Sequence, residues 1–435
     1  MATHEIASVA FKADTTFGAL LAATNLPDPG LDASWEGVGV VRSNFFSDGM
    51  SSPISDPDLT RDGSYFRAPE LETVINNTGA AAYGAADGEA IDRLMGDISL
   101  RFRVPQIGAG APYSTHSDHP FFAMLESSLG SYTPTAASDL VGAGTHSVNE
   151  FVVTTAAAFQ SGGGVCRIHN NVLEFAEISE VAGTDVTVNP AFSSAPLVGD
   201  TIYPCYTLAP LEGHTQSTFS LRFDMSGFRH YGWGCRIASF NFSFENETLF
   251  CDITARPAVV LKDHSHSAET TWAPTGAASC RWLQSDKLLS APIGTGSPPT
   301  LARTQLALTS WDATVDVGLS NIPDSRTILG ASNMDVGFHN VTLNMTGEPS
   351  SDIEDMLRKQ EERICLLGCG PAGEGVGMAF VLMAAHTISP ALTSEGDGGR
   401  QNQSVSFRPG KWELDVGSTF PADTSYRMFF PMPVP

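Results

Sequence analysis

The sequence lacks the segments and motifs that would place it in a membrane or in a familiar enzyme class. No apolar run approaches the roughly 20 residues needed to span a bilayer, and the N-terminus lacks the basic-then-apolar order of a signal peptide. No Gly-x-Ser-x-Gly, His-Glu-x-x-His or phosphate-loop pattern occurs. We therefore expect a protein that is made in a cytoplasm, has no membrane partner and is not an enzyme.

Paired cysteines and basic residues are also scarce. The seven cysteines are an odd number and none forms a Cys-x-x-Cys pair, which argues against a disulfide framework and against a zinc knuckle. The chain has only 24 basic residues against 48 acidic ones, which gives a formal net charge of −24. That balance argues against binding nucleic acid through its phosphates, although it is compatible with a surface that repels nucleic acid.

The residues that are abundant indicate a mainly β protein with a sizeable core. Hydrophobic residues make up 42% of the chain, and 41 glycines and 27 prolines supply many turns. The clearest period-two alternation runs through residues 236–245 and 248–256, which a short polar turn joins into a predicted β-hairpin. Residues 218–224 alternate in the same way and predict a further strand.

The order strand, loop and short helix occurs twice. Residues 96–104 alternate before a helix predicted to begin at Pro120, and residues 339–346 alternate before a capping box at residues 351–354. We therefore predict tandem β-sandwich or barrel modules, each with a short flanking helix, plus an extended N-terminal arm. The predicted parts are listed in chain order: arm 1–95, first module 96–270 with a β insertion near 160–208, linker 271–300, second module 301–415 and tail 416–435.

Three motifs allow a chemical interpretation and a plain one. Residues 368–373 match G-x-G-x-x-G, but too few residues follow to complete a dinucleotide fold, so a glycine-rich hairpin turn is favoured and no cofactor is expected. Residues 116–119 and 263–266 each carry two histidines and an aspartate, which could bind a metal ion if the two loops met. The favoured interpretation is two polar loops without a metal.

The segments from Asp97 onward resemble the tail tube (major tail) proteins of long-tailed bacteriophages. The resemblance follows the strand at 97, the helix loop 119–130, the strands within 174–200 and the segments 216–221 and 232–255. It covers residues 95–260, and residues 300–410 in outline. It implies a β-sandwich with a flanking helix, whose copies join their sheets into rings and stack into a hollow tube that carries DNA from capsid to host.

This resemblance assigns roles to three groups of residues. Acids near the best hairpin are candidates for the channel wall, where carboxylates would repel DNA: Glu245, Glu247 and Asp252. A strand that is apolar on both faces is the candidate contact between subunits: Val376, Met378, Phe380 and Leu382. The helix loop is the candidate contact between rings: His119, Phe121, Phe122 and Leu125.

The partners that follow are other copies of this chain and other phage tail proteins, with DNA passing through the lumen without specific binding, in the virion tail. Because an apolar strand face needs a cover, we expect the chain not to be a stable lone monomer. Two modules per chain would let three chains close a ring that looks six-fold. A capsid decoration or other virion β-protein stays open as an alternative, as does a carbohydrate-active β-sandwich enzyme, which would need paired carboxylates in a cleft.

Overall fold

The mainly β class is confirmed. A computed structural model describes residues 6–14, 36–38, 42–44, 97–105, 116, 118–170, 172–210, 218–225, 228–245, 248–257, 259–263, 284–290, 303–323, 331–370, 377–388, 391–394, 401–410 and 425–432. These ranges contain 24 strands, all paired antiparallel in one hydrogen-bonded network, and two α-helices.

The elements are numbered in chain order. The strands are β1 (Ile6–Ala13), β2 (Glu36–Val38), β3 (Arg42–Asn44), β4 (Ile98–Arg103), β5 (Gly130–Tyr132), β6 (Asp139–Leu140), β7 (Glu150–Val152), β8 (Gly164–His169), β9 (Val172–Ala182), β10 (Asp185–Asn189), β11 (Thr201–Ala209), β12 (Phe219–Met225), β13 (Phe228–Glu245), β14 (Thr248–Arg256), β15 (Val259–Asp263), β16 (Gln284–Ser290), β17 (Arg303–Gln305), β18 (Leu308–Pro323), β19 (Ala331–Gly347), β20 (Arg363–Cys369), β21 (Met378–Thr387), β22 (Ala391–Ser394), β23 (Gln401–Pro409) and β24 (Tyr426–Pro431). The helices are α1 (Pro120–Glu126) and α2 (Ser351–Lys359).

The central sheet has the strand order β3–β4–β14–β13–β18–β19–β23–β22. Its middle is the predicted β13–β14 hairpin, in which Glu245 pairs with Thr248. Alternation explains why it folds as a sheet with one apolar face, since Phe240 and Phe242 are buried while Asn241 between them is half-buried. The N-terminal half of β13 continues past this sheet and pairs with β12 and β15, and β1 and β2 extend that side.

A second layer packs against the apolar face of the central sheet and completes a β-sandwich. Its strand order is β17–β16–β20–β21–β24–β11, and β21 also bonds to β23 of the central sheet. The two layers meet through aromatic rings: the centroid of Phe240 lies 6.4 Å from that of Tyr426, and the centroid of Phe242 lies 6.5 Å from that of Phe380. The β20–β21 pair confirms the hairpin predicted around the glycine-rich turn.

Both predicted helices are confirmed, and both pack on this core. Helix α1 contributes Phe121, Phe122 and Leu125, and α2 contributes Ile353 and Met356. The predicted capping box, with Ser351 as the N-cap, does not form. The helix begins at Ser351, so its N-cap is Ser350, whose side chain makes no capping hydrogen bond. The Ser350 N–H donates to Gln403 Oε1 on β23.

The two segments predicted as modules build one sandwich together. One core cluster of buried side chains runs from Val9 to Met432 in the described residues, and β13 bonds directly to β18. The segment predicted as a linker contains β16, which pairs with β20. The segment predicted as a tail contains β24, every residue of which is buried.

The predicted β insertion is a small closed barrel. Its strands follow the order β6–β11–β8–β9–β10–β7, and a bridge between Val141 and Val153 closes β7 onto β6. Its interior is apolar, with Val165, Ile178 and Val186 among its completely buried residues. The barrel begins at β6, earlier than the predicted boundary near residue 160, because its closing strands β6 and β7 are too short to show a period.

Candidate functional site

The polar face of the central sheet is an organised surface in the described residues. It consists of the side chains opposite the core on β4, β14, β13, β18, β19 and β23. Strand register places its members directly opposite one another in rows. One row is Arg101, Asp252, Asn241, Thr314 and Thr342, and the next is Arg103, Phe250, Ser243, Asp312, Asn344 and Ser406.

Side-chain hydrogen bonds join neighbouring strands across this polar face. Thr314 Oγ1 donates to Asn241 Oδ1 at 3.1 Å, and Asn344 Nδ2 donates to Asp312 Oδ2 at 2.9 Å. Ser406 Oγ donates to Asn344 Oδ1 at 2.6 Å. Small side chains that bond to their cross-strand neighbours lose little entropy and project little, so the middle of this face is a smooth layer of hydroxyl and amide groups.

Only one of the three acids predicted for a channel wall has a described side chain. Asp252 lies on the polar face with its Oδ2 3.6 Å from Nη1 of Arg101, whose guanidinium stacks 4.4 Å from the Phe250 ring. Its charge is therefore compensated by a neighbouring cation. Glu245 ends β13, with its side chain outside the described residues, and Glu247 lies wholly outside them.

Two acids that the sequence analysis misses lie on the same polar face. Asp312 and Asp316 are on β18, where Asp316 is exposed and pairs in register with Ser239 and Asn340. The signal for this strand is present in the sequence, since Trp311, Ala313, Val315 and Val317 alternate with polar residues.

The strand predicted to join subunits is internal. Met378, Phe380 and Leu382 are completely buried in the main core, while Ala379, Val381 and Met383 on the opposite face pack in a second cluster with residues of β8, β9 and β11. The prediction that both faces are covered is correct, but the cover is the small barrel of the same chain. Strands β20 and β24 flank β21, so β21 has no free edge in this segment. The expectation of an unstable monomer assumed that a second copy must cover the apolar face of this strand, and that assumption is wrong. Val376 lies outside the described residues.

The helix loop predicted to join rings is also internal. Phe121, Phe122 and Leu125 have no exposed surface, so in this fold their side chains cannot contact another ring. His119 caps α1, because its Nδ1 accepts from the Phe121 N–H at 3.1 Å. The sequence predicts these residues as apolar helix positions correctly; whether such a helix faces a core or a partner depends on the rest of the fold.

The two histidines of this loop are held neutral by burial. Desolvation lowers the pKa of His116 to about 3, with a further contribution from nearby His119, and lowers the pKa of His119 to about 4. The His116 ring stacks on Tyr206, with centroids 5.0 Å apart. In the second histidine loop, Asp263 ends β15 and His264 and His266 lie outside the described residues. Among the described residues, no group of three or more His, Cys, Asp or Glu side chains could hold a metal ion.

Comparison with known proteins gives no family assignment: no protein-family model and no curated protein matches this chain. None of the described helices is long and apolar enough to cross a membrane.

Proposed function

We propose that this chain is a structural virion protein that assembles into stacked rings and forms the phage tail tube through which DNA is delivered to the host. The observation that supports this proposal best is the polar face of the central sheet. One side of that sheet is the protein core, and the other carries a hydrogen-bonded layer of Ser, Thr, Asn and Asp across β13, β18, β19 and β23. A sheet of this kind suits the wall of an aqueous channel.

The chemistry of the face is suited to DNA that must pass without sticking. Phosphates bind to clusters of lysine and arginine. On this face Arg101 is paired with Asp252 and Arg256 with Asp97, while Arg103, opposite Phe250 in register, is exposed. Asp312 and Asp316 add carboxylates in the middle of the face, and the chain as a whole carries −24. Carboxylates on a wall repel phosphate over roughly the 8 Å Debye length at physiological salt.

Ring formation requires the polar faces of neighbouring copies to join. Within the described residues the central sheet ends in β3, with three residues, and β22, with four, and pairing of these edges between copies would continue the face around a channel. Because the two predicted modules build one sandwich, the reason for predicting three chains per ring no longer applies.

Contacts between rings need exposed side chains, and the α1 residues predicted for this contact are buried. The best-exposed large apolar side chain in the described residues is Phe338 on β19, at 88%. We propose Phe338, in the β18–β19 hairpin, as an anchor between stacked copies, because a fully solvated aromatic ring gains the most from burial in a partner.

Negative-stain electron microscopy of the purified, concentrated protein tests this proposal. We expect rings and stacked rings for the natural chain, and separate rings or short stacks for Phe338→Ser. Leu357→Ser on α2, where the exposed fraction is 44%, is the matched control and should leave the stacks unchanged. Particles without rings at every concentration would contradict the tube and favour a decoration protein, which should instead bind to capsids.

A further inference from the structure

One end of the small barrel contains a buried ion pair, although the rest of its interior is apolar. Arg167 on β8 and Glu174 on β9 are directly opposite in register, with 2.8 Å between Nε and Oε2, and both are buried. The chain that follows β10 passes over them, so that the guanidinium carbon of Arg167 lies 4.5 Å from the centroid of the Phe192 ring. Mouths of β-barrels are frequent ligand sites because they combine an apolar wall with a few fixed polar groups.

Ser194 and His169 meet at this ion pair. Nη2 of Arg167 donates to the Ser194 carbonyl at 2.8 Å and to Ser194 Oγ at 3.1 Å, and the same Oγ lies 3.2 Å from His169 Nε2. A guanidinium can only donate hydrogen bonds, so Ser194 Oγ accepts from Arg167. When the His169 ring carries its proton on Nδ1, Nε2 accepts the Ser194 hydroxyl proton, and this is the tautomer that the reaction below uses.

This polarity is the one that a nucleophilic serine requires. A base within hydrogen-bond distance takes the hydroxyl proton, and an adjacent cation stabilises the oxygen as it becomes negative. Glu174 holds the guanidinium in place from its other side. Both Ser194 and His169 are half-buried, so a small molecule approaching the mouth can reach them.

We propose that Ser194 is a reactive nucleophile with His169 as its general base and Arg167 as its electrostatic support, and that the site takes small carboxylic esters. Ser194 Oγ adds to the carbonyl carbon while its proton passes to His169 Nε2. The bond to the alcohol oxygen then breaks, and His169 returns the proton to that oxygen. Water then adds to the acyl carbon as the same imidazole takes its proton, the bond between that carbon and Ser194 Oγ breaks, and His169 returns the proton to Oγ as the acid leaves. This activity is independent of the proposed tube.

The sequence could not indicate this pair. Ser194 and His169 are 25 residues apart, on a loop and at the end of a strand, and no motif joins them. Their contact depends on closure of the barrel, which brings the segment after β10 over the end of β8.

Labelling with an alkyl fluorophosphonate tests the proposal on the whole chain. In that reaction the Oγ–P bond forms, the P–F bond breaks with loss of fluoride, and His169 takes the proton. We expect one adduct per chain, located at Ser194 by peptide mass spectrometry, absent in Ser194→Ala and lost when the chain is unfolded in urea. Ser193→Ala, which removes the exposed neighbouring hydroxyl, is the matched control and should label at the natural rate.

A second variant separates the mechanism from mere accessibility. His169→Gln keeps a polar side chain but removes the base, and it should slow labelling by about 100-fold or more. Thermal melting of each variant establishes that it is folded. Absence of an adduct on the folded chain, an adduct on Ser193, or a labelling rate that His169→Gln leaves unchanged would each overturn the proposal.

Discussion

Acid sensitivity of the α1 cap offers a quantitative test of how deeply this helix is buried. Burial lowers the pKa of His119 from 6.5 to about 4, so the unfolded chain binds a proton more tightly than the folded one. The stabilisation is therefore fully present above pH 6.5 and is lost as the pH falls from 6.5 towards 4. At pH 5 the loss is about 2 kcal/mol, since the pH is 1.5 units below the unfolded pKa and each unit is about 1.4 kcal/mol.

The substitution His119→Asn isolates this effect. An asparagine side chain is a favourable N-cap and can accept from the same Phe121 N–H, but it does not titrate. We expect the free energies of unfolding of the variant and the natural chain to agree within about 1 kcal/mol at pH 7.5, because both caps are intact there. At pH 5.0 the free energy of unfolding of the variant, relative to that of the natural chain, should be higher by about 2 kcal/mol than at pH 7.5.

Urea unfolding followed by tryptophan fluorescence at the two pH values measures this difference. The parallel substitution His339→Asn should show a similar gain at acid pH, because burial also lowers the pKa of His339 to about 4. Equal pH dependence in the natural chain and in His119→Asn would refute the reasoning, since it would mean that His119 is protonated as readily in the folded chain as in the unfolded one.

Three further predictions concern the packing of the second layer against the barrel, each measured by urea or thermal unfolding. Gly164→Ala should destabilise the chain by about 1–3 kcal/mol, because the added methyl group overlaps the Phe429 ring; stability equal to the natural chain would show that this contact is looser than the structure has it. Arg427→Met removes the buried cation that pairs with buried Glu177 and should cost about 3–5 kcal/mol, part of which the double variant with Glu177→Gln restores. Deletion of residues 421–435 removes β24 from between β11 and β21 and should give an insoluble or unfolded chain by circular dichroism; a soluble, folded product would show that the segment is a dispensable tail.

Much of the central sheet could be predicted from the sequence, because its strands have one polar and one apolar face. Phe240 and Asn241 alternate as a two-faced strand must, and so do Leu343 and Asn344. Strand β24 does not alternate. Its two faces are buried in different clusters, with Tyr426 facing the sandwich core and Phe429 facing the barrel, so no period distinguishes it from a short apolar tail.

The candidate site was predictable only in part, for a related reason. The polar residues of β13 and β19 are evident from their alternation, but their assembly into continuous rows depends on β18 lying between them. Likewise, the sequence indicates that β21 needs cover on both faces without indicating which atoms supply it. Such pairings join residues far apart in the chain, and local pattern carries no information about them.

The orientation of the central sheet in an assembly tests the tube proposal most directly. A cryo-electron microscopy reconstruction of rings or tubes formed by this chain would show which surface faces the channel. We expect the polar face, with Asn241, Asp312 and Thr314, to line the channel as a neutral to acidic wall, and the small barrel to lie outside. A channel lined by another surface, a basic channel wall, or an assembly without a channel would contradict the proposal.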